Sequence, residues 1–106
     1  MSQFSERVLK FTSKIPRGKV TTYSEIARAL GKPNASRAVG NALARNEKPD
    51  IIPCYRVVHS DGSVKGYSGK GGTGEKIRRL RKDAIEVKNG EINLEIYSHS
   101  FRKNQR

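Results

Sequence analysis

Apolar residues recur at helical spacing in the first half of the chain, and the pattern predicts three short helices. The first helix stops near Pro16 and has an apolar stripe of Phe4, Val8, Leu9 and Phe11. The second begins at Thr22, which forms a capping box with Glu25, and ends at Gly31, which suits a left-handed helix cap. The third has Asn34 as its N-cap and an apolar face of Ala35, Ala38, Val39, Ala42 and Leu43.

The second and third predicted helices are joined by a short turn that contains Gly31. This arrangement is typical of a helix-turn-helix, although an ordinary helical hairpin would give the same pattern. The outer face of the third helix has small side chains apart from one cation, since it carries Ser36, Arg37, Gly40, Asn41 and Ala44.

The second half of the chain mixes extended and helical patterns. Residues 55–58 favour a short strand, and residues 62–74 hold six glycines, which predicts a surface loop. A further helix is predicted over residues 75–82, with Thr73 as a candidate cap and with Ile77 and Leu80 facing inward. Its predicted outer face is basic and consists of Lys76, Arg78, Arg79, Arg81 and Lys82.

The last patterned segment contains Asn89-Gly90 between two alternating apolar runs, which predicts a C-terminal β-hairpin. The alternating positions are Ile85, Val87, Ile92, Leu94 and Ile96. The whole pattern therefore predicts one small α/β domain that is mostly helical, with a winged-helix-like helix-turn-helix, a short strand at the candidate active site and a C-terminal hairpin. The predicted domain covers residues 1–97 and is followed by a polar, basic tail over residues 98–106.

The charge of the chain points to a polyanionic partner. Lys and Arg number 22 against 10 Asp and Glu, which gives a net charge of +12 and a pI near 10.3. The helix-turn-helix pattern favours DNA, and a merely basic, ribosome-associated protein is the alternative. Because there is no apolar run of about 18 residues and no apolar signal core at the start, we expect a cytoplasmic protein without membrane contact.

Cys54 is the one cysteine of the chain, so no internal disulfide can form. One thiol and two histidines are too few for a structural zinc site, and neither a metal nor another cofactor is expected. A lone cysteine is usually a small buried apolar residue. Here Arg56 and His59 are near in sequence and the chain is strongly positive, a setting that favours the nucleophilic thiolate.

The residues around Cys54, Ile-Pro-Cys-Tyr-Arg-Val-Val over 52–58, resemble the Pro-Cys-His-Arg-Val signature of the O6-alkylguanine-DNA alkyltransferases. Three further segments and Asn46 resemble other parts of that family in the same order: residues 18–23 its entry to the helix-turn-helix, residues 36–43 its recognition helix and residues 66–69 its substrate loop. The resemblance runs without a gap from Gly18 to Gly69. Several motifs in the right order are far more specific than any one of them.

The resemblance implies a DNA repair protein that flips O6-alkylguanine out of duplex DNA and transfers the alkyl group, once and irreversibly, to Cys54. Tyr23 would help to rotate the nucleotide and would donate a proton toward the leaving guanine. Arg37 would fill the space that the flipped base leaves. The family presents this helix to the minor groove, whose narrowness explains a small DNA-binding face of Ala35, Ser36, Gly40 and Asn41 around Arg37.

The resemblance also assigns a substrate pocket. Tyr67 would stack on the base, Ser68 would hydrogen-bond to its O6, and backbone groups of Cys54 and Val57 would read its exocyclic amine, with Val64 and Gly69 completing the pocket. Asn46 would brace the turn between the recognition helix and the active-site strand, and Arg56 would support the site from behind.

Two catalytic positions depart from the family. Tyr55 stands where the family has a histidine that activates the thiol, and Asp83 falls at the position of a glutamate that orients this histidine, if two extra residues are allowed in the glycine loop. A tyrosine is a poor base at neutral pH. We therefore hypothesise that the thiolate is favoured instead by local positive potential, by a nearby helix N-terminus and by Tyr55 as a hydrogen-bond partner.

Other functions stay open at this point. The related alkyltransferase-like proteins bind alkylated DNA without repairing it and carry tryptophan at the cysteine position, whereas this chain keeps Cys54 and has no tryptophan. A plain basic DNA-binding domain with a structural Cys54 is a third possibility. Commoner family members carry an extra N-terminal domain, so the chain is either a whole protein or one domain of a fusion. We expect a monomer that needs no obligate protein partner, acts on double-stranded DNA containing O6-alkylguanine and, in a prokaryote, associates with the nucleoid.

Overall fold

Short helices packed around two short strands make up the fold of this chain. The structure, a computed structural model, describes residues 2–67, 69–99 and 101. In chain order its elements are α1 (Gln3–Thr12), β1 (Thr21–Thr22), α2 (Tyr23–Ala29), α3 (Ser36–Ala44), a single 3-10 turn (Cys54–Arg56), β2 (Val57–Val58), α4 (Gly72–Lys82) and α5 (Leu94–Tyr97). None of the helices in the described part of the chain has the length and apolarity that a bilayer crossing requires.

The capping signals place the first helices where the sequence predicts them. The Ser2 hydroxyl accepts a hydrogen bond from the Ser5 amide at the start of α1, and the Thr22 hydroxyl accepts one from the Glu25 amide, 3.0 Å away, at the start of α2. Gly31 follows α2 with a φ of +77°, which ends the helix as predicted. Helices α2 and α3 pack against each other across this turn and form the predicted helix-turn-helix.

The two strands divide the core into two clusters. β1 and β2 pair in parallel, with Thr21 opposite Val57 and Thr22 opposite Val58. Because successive side chains of a strand point to opposite faces, Val57 joins the cluster built on α1, α2 and α3, and Val58 joins the cluster built on α4 and the segment around Ile85. The 3-10 turn divides in the same way, since Cys54 belongs to the first cluster and Tyr55 to the second.

Three details of the helix predictions are wrong. α3 is preceded by Ala35, not Asn34, because the Ala35 amide still closes a turn onto the Lys32 carbonyl and Asn34 is therefore one residue too early to cap. Ala38, predicted in the apolar stripe, is exposed. α4 begins at Gly72, after Gly71 in the left-handed conformation, so that Thr73 lies inside the helix.

The predicted C-terminal hairpin is wrong beyond its turn. Asn89 and Gly90 have φ values of 55° and 75°, and the residues on either side of them, Lys88 and Glu91, exchange two backbone hydrogen bonds of 3.0 Å. No second strand follows, because the Asn93 side chain caps α5 by accepting from the Glu95 amide at 2.9 Å. A helix cap at this position outweighs the alternating pattern on which the strand prediction rests.

Residues 98, 99 and 101 contact the rest of the fold. Ser98 pairs with Val20 as an isolated bridge, and the His99 amide donates to the Val20 carbonyl at 2.7 Å. Phe101 is buried and packs edge-on against Phe11, with the ring centroids 5.2 Å apart. The other residues of the predicted tail, 100 and 102–106, lie outside the described part of the chain.

Candidate active site

An open groove of about 1060 Å³ runs between the outer face of α3 and the loop that follows β2. Five of the predicted catalytic, pocket and supporting residues line it, namely Tyr23, Asn46, Cys54, Tyr67 and Gly69. Four of the predicted DNA-binding residues lie on α3 and line the groove, namely Ser36, Arg37, Gly40 and Asn41. Ala35 does not line it.

Cys54 lies at the bottom of the groove. It is only 7% exposed, and the 3-10 turn that begins with this residue holds its sulfur toward the groove while Tyr55 points into the other core cluster. Its Sγ is 3.5 Å from the Tyr67 hydroxyl. The sequence predicts Tyr67 as a stacking wall of the pocket and gives no sign of this contact with the thiol.

Two tyrosines flank the thiol and both keep their protons at neutral pH. Burial raises the pKa of Tyr23, and the neighbouring Cys54 raises it further. Burial and the hydrogen bond with Cys54 raise the pKa of Tyr67 well above its ordinary value. The Tyr67 ring lies directly over Gly69, where the Cβ of any other residue would overlap the ring. Both phenols are thus available as hydrogen-bond donors beside the sulfur.

The prediction that Lys76 lies on the solvent face of α4 is wrong. Its side chain is fully buried, and its ammonium donates to the Val57 carbonyl at 2.7 Å. The ammonium also lies 5.3 Å from the centroid of the Tyr67 ring and 6.0 Å from that of Tyr23. The spacing of Lys76 and Leu80, which is i and i+4, is the one sequence signal that places both on the inner face.

The outer face of α3 is open toward the groove. Arg37 is exposed, and it forms no hydrogen bond or ion pair with any residue that the structure describes. Gly40 lies behind Arg37 next to Tyr23, and a Cβ at this position would meet the Tyr23 ring at 3.9 Å, an ordinary contact. The fold itself therefore does not require glycine at position 40.

Tyr55 and Asp83 meet each other but lie outside the groove. The Tyr55 hydroxyl donates to Asp83 at 2.9 Å, and Arg56 Nε donates to the same carboxylate oxygen at 2.8 Å. Arg17 approaches the other oxygen at 3.4 Å. These residues line a separate pocket of about 390 Å³. The shorter Asp83 thus reaches Tyr55, but neither side chain lines the groove into which Cys54 faces.

The remaining predicted residues fall in three places. Val57 and Val64 are buried in the core and do not line the groove. Asn46 spans the turn after α3, because its side-chain amide donates to the Ile52 carbonyl at 2.8 Å and its oxygen accepts from the Lys48 amide. Ser68 lies outside the described residues.

Known proteins are similar to this chain in both sequence and fold. The family described as "6-O-methylguanine DNA methyltransferase, DNA binding domain" matches residues 3–85. A bifunctional methyltransferase/endonuclease of Picrophilus torridus is 55% identical over 84 residues, which are 79% of this chain and 28% of that protein. A methylated-DNA–protein-cysteine methyltransferase of Methanothermobacter thermautotrophicus is 44% identical over 87 residues, 81% of this chain and 47% of that protein. The chain therefore spans less than half the length of these two relatives.

Among solved structures, Atl1 of S. pombe in complex with damaged DNA containing O6-carboxymethylguanine has a TM-score of 0.85 and is 30% identical. The likeness covers 94% of this chain and 97% of that chain. Sequence and fold thus agree over the helix-turn-helix, the cysteine turn and α4. This chain belongs to the family of the 6-O-methylguanine DNA methyltransferase, DNA-binding domain.

Proposed function

We propose that this protein repairs O6-alkylguanine in double-stranded DNA by moving the alkyl group to Cys54. The observation that carries the proposal is the position of the thiol, at the bottom of a groove, within hydrogen-bond distance of Tyr67 and across from the open face of α3. A flipped guanine can enter such a groove, whereas a base inside the stack cannot reach a recessed thiol.

On this proposal α3 enters the minor groove of the duplex. Its small outer residues let the helix approach the narrow groove, and Arg37 supplies a long cation that no other described residue pairs with. Arg37 takes the space that the flipped nucleotide vacates. The family membership and the DNA complex of the S. pombe neighbour support this mode of binding.

The chemical step needs only groups of this chain and the DNA. The Cys54 thiolate attacks the alkyl carbon, a new sulfur–carbon bond forms, and the bond from that carbon to O6 breaks with its electron pair left on the guanine. Tyr23, whose raised pKa keeps it protonated at neutral pH, gives its proton to the guanine as negative charge develops on the ring and regains a proton from solvent. The product is a stable thioether, so each molecule acts once.

The mass of the protein after incubation with damaged DNA tests the proposal. With a duplex oligonucleotide that contains O6-methylguanine, the intact protein should gain the mass of one methyl group in place of the thiol hydrogen, on the peptide that contains Cys54. The Cys54→Ser variant should bind the same duplex without gaining mass. Wild-type protein that binds the lesion and keeps its mass would overturn the repair proposal.

A damage sensor is the second candidate function. Two observations favour it: the likeness to Atl1, which was solved in complex with damaged DNA, extends over nearly the whole of both chains, and Tyr55 replaces the histidine that the family resemblance expects beside the cysteine. A sensor would bind O6-methylguanine duplex more tightly than undamaged duplex without any change in mass. Equal affinity for the two duplexes would leave only a basic DNA-binding domain.

A further inference from the structure

The buried ammonium of Lys76 has no partner of opposite charge among the residues that the structure describes. Its side chain is fully buried in α4, and its hydrogen-bond partner is the neutral carbonyl of Val57. No Asp or Glu among the described residues forms an ion pair with it. A buried charge without a counter-charge is costly, so its presence here calls for an anion close by.

The group that can become that anion is Cys54. The Tyr67 hydroxyl contacts the Cys54 sulfur at 3.5 Å, and the ring of the same tyrosine lies 5.3 Å from the Lys76 ammonium. Burial lowers the pKa of Lys76 to about 8, and interaction with Cys54 acts in the opposite direction. The charged groups near Tyr67 on α4, Glu75 and Arg79, pair with each other at 2.9 Å.

Tyr55 and Asp83, which stand at the positions where the family has its activating histidine and glutamate, bond to each other and not to the thiol. The Tyr55 hydroxyl donates a hydrogen bond to Asp83, which also accepts one from Arg56 and lies near Arg17. Burial, and then the hydrogen bond to Asp83, raise the pKa of Tyr55, so that even less of it is present at neutral pH as the phenolate that could accept the thiol proton. The part of the sequence-based hypothesis that makes Tyr55 a hydrogen-bond partner of the thiol therefore has no support in the structure.

We propose that Lys76 is the positioning residue that holds Cys54 in its reactive form, with the buried ammonium stabilising the thiolate from beneath the two tyrosine rings. The thiol proton passes to solvent when Lys76 is already charged, and to its amine when it is neutral. Either way the pair ends as thiolate and ammonium, with no net charge. This inference rests on the proposed function, because it supplies the nucleophile of that reaction.

The reactivity of Cys54 toward iodoacetamide tests the inference without any DNA. Alkylation is followed by mass against pH for the wild type, Lys76→Met, Lys76→Arg and the control Lys82→Met, which removes the same charge from an exposed position of the same helix. Lys76→Met should slow alkylation at neutral pH by about tenfold and move the midpoint of the pH profile up by about one pH unit. Lys76→Arg should keep part of the wild-type rate, and Lys82→Met should match the wild type.

A folded Lys76→Met variant with the wild-type pH profile would overturn the inference. A second measurement uses the wild-type chain alone and so does not depend on the folding of a variant. The nitrogen resonance of Lys76 is titrated by NMR before and after Cys54 is capped with iodoacetamide. Its midpoint should fall after capping, because the thiolate is lost, and an unchanged midpoint would equally overturn the inference.

These readouts separate the inference from the proposed function. If Cys54 reacts with iodoacetamide in a Lys76-dependent way but takes no methyl from the damaged duplex, the repair proposal fails and the role of Lys76 stands. If the methyl is transferred equally well by folded wild type and Lys76→Met, and both react alike with iodoacetamide, the repair proposal stands and the role of Lys76 fails.

Discussion

Two positively charged side chains of this chain lie in opposite environments, one exposed to solvent and one buried. Arg37 is exposed on the outer face of α3 and has no partner among the described residues, whereas Lys76 is fully buried next to the Tyr67 ring. The exposure of Arg37 can be predicted from the sequence, because small residues surround it on the outer face of α3. The burial of Lys76 cannot, because an analysis of hydrophobic positions assigns lysine to the surface. Lys76 and Leu80 are the buried residues of α4, and the buried Asp83 follows its last residue, so that two of the three are charged. Sequence patterns fail most often at such sites, where function opposes ordinary burial.

The buried Lys76 makes the stability of the fold depend on pH in the alkaline range. Its pKa is about 8 in the folded protein and 10.5 ordinarily, so between these values the unfolded chain binds more protons and stability rises with pH. The gain should reach roughly 3 kcal/mol at most. Urea unfolding at several pH values should show this rise in a Cys54→Ser protein, in which the thiol does not titrate. The rise should vanish when Lys76→Met is added. The difference between the unfolding free energies of the two proteins isolates Lys76, because the tyrosines contribute equally to both. Parallel curves for the two would contradict the assignment.

Arg37 serves base flipping and not the chemical step, if the proposed function holds. Arg37→Ala should therefore slow methyl transfer from duplex DNA much more than it slows the reaction of Cys54 with free O6-benzylguanine, which needs no flipping. Single-turnover rates on the two substrates measure this directly. The matched control is Arg45→Ala, which removes an equal charge just beyond the end of the same helix. Equal losses on both substrates would show that Arg37 acts on the chemistry or on the fold.

At the scale of elements, local signals predict the fold well where they agree with the packing. The Thr22 side-chain cap and Gly31 give α2 its bounds, and the Asn89-Gly90 turn forms with the expected backbone angles. The hairpin beyond that turn could not be predicted from alternation alone, because Asn93 caps a helix and Ile92 pairs with Gly62 instead. Competition between a side-chain cap and a strand ladder is settled by tertiary contacts that the sequence does not display.

Helix α3 offers a test that separates folding from DNA binding. Gly40→Ala places a Cβ at an ordinary contact distance from Tyr23, so the substitution should stabilise the protein by about 0.5–1 kcal/mol through helix propensity. The same methyl group lies on the face proposed to enter the minor groove and should weaken duplex binding. Gly74→Ala is the control, since Gly74 lies in α4 with open space around it. Thermal unfolding and fluorescence anisotropy should show a similar gain in stability for both and a loss of affinity for Gly40→Ala alone.

At the scale of the whole molecule, the net charge of +12 does not show how the charges are arranged, because some arginines are paired with acidic residues and others are not. Four arginines that line the second pocket form ion pairs with acidic side chains. Arg17 and Arg56 pair with Asp83, Arg78 pairs with Glu75, and Arg79 pairs with Glu75 and Asp50. On the groove side, Arg37 is without such a partner among the described residues. These three acidic residues thus neutralise arginines at the second pocket, whereas the positive charge of Arg37 lies at the groove, where it would favour the approach of DNA to α3.

Salt should therefore act on affinity for DNA and not on preference for the lesion. Counterion release lowers the logarithm of the binding constant by about 0.9 per phosphate contacted for each unit of log salt, so binding should fall steeply between about 50 and 200 mM salt. The contacts that would recognise the flipped base, through Tyr67, Tyr23 and the recessed Cys54, involve no phosphate. The ratio of affinities for O6-methylguanine and undamaged duplex, measured with Cys54→Ser to prevent transfer, should then stay nearly constant as salt increases. A ratio that collapses together with the affinity would mean that the charged surface itself carries the preference, and would contradict recognition within the groove.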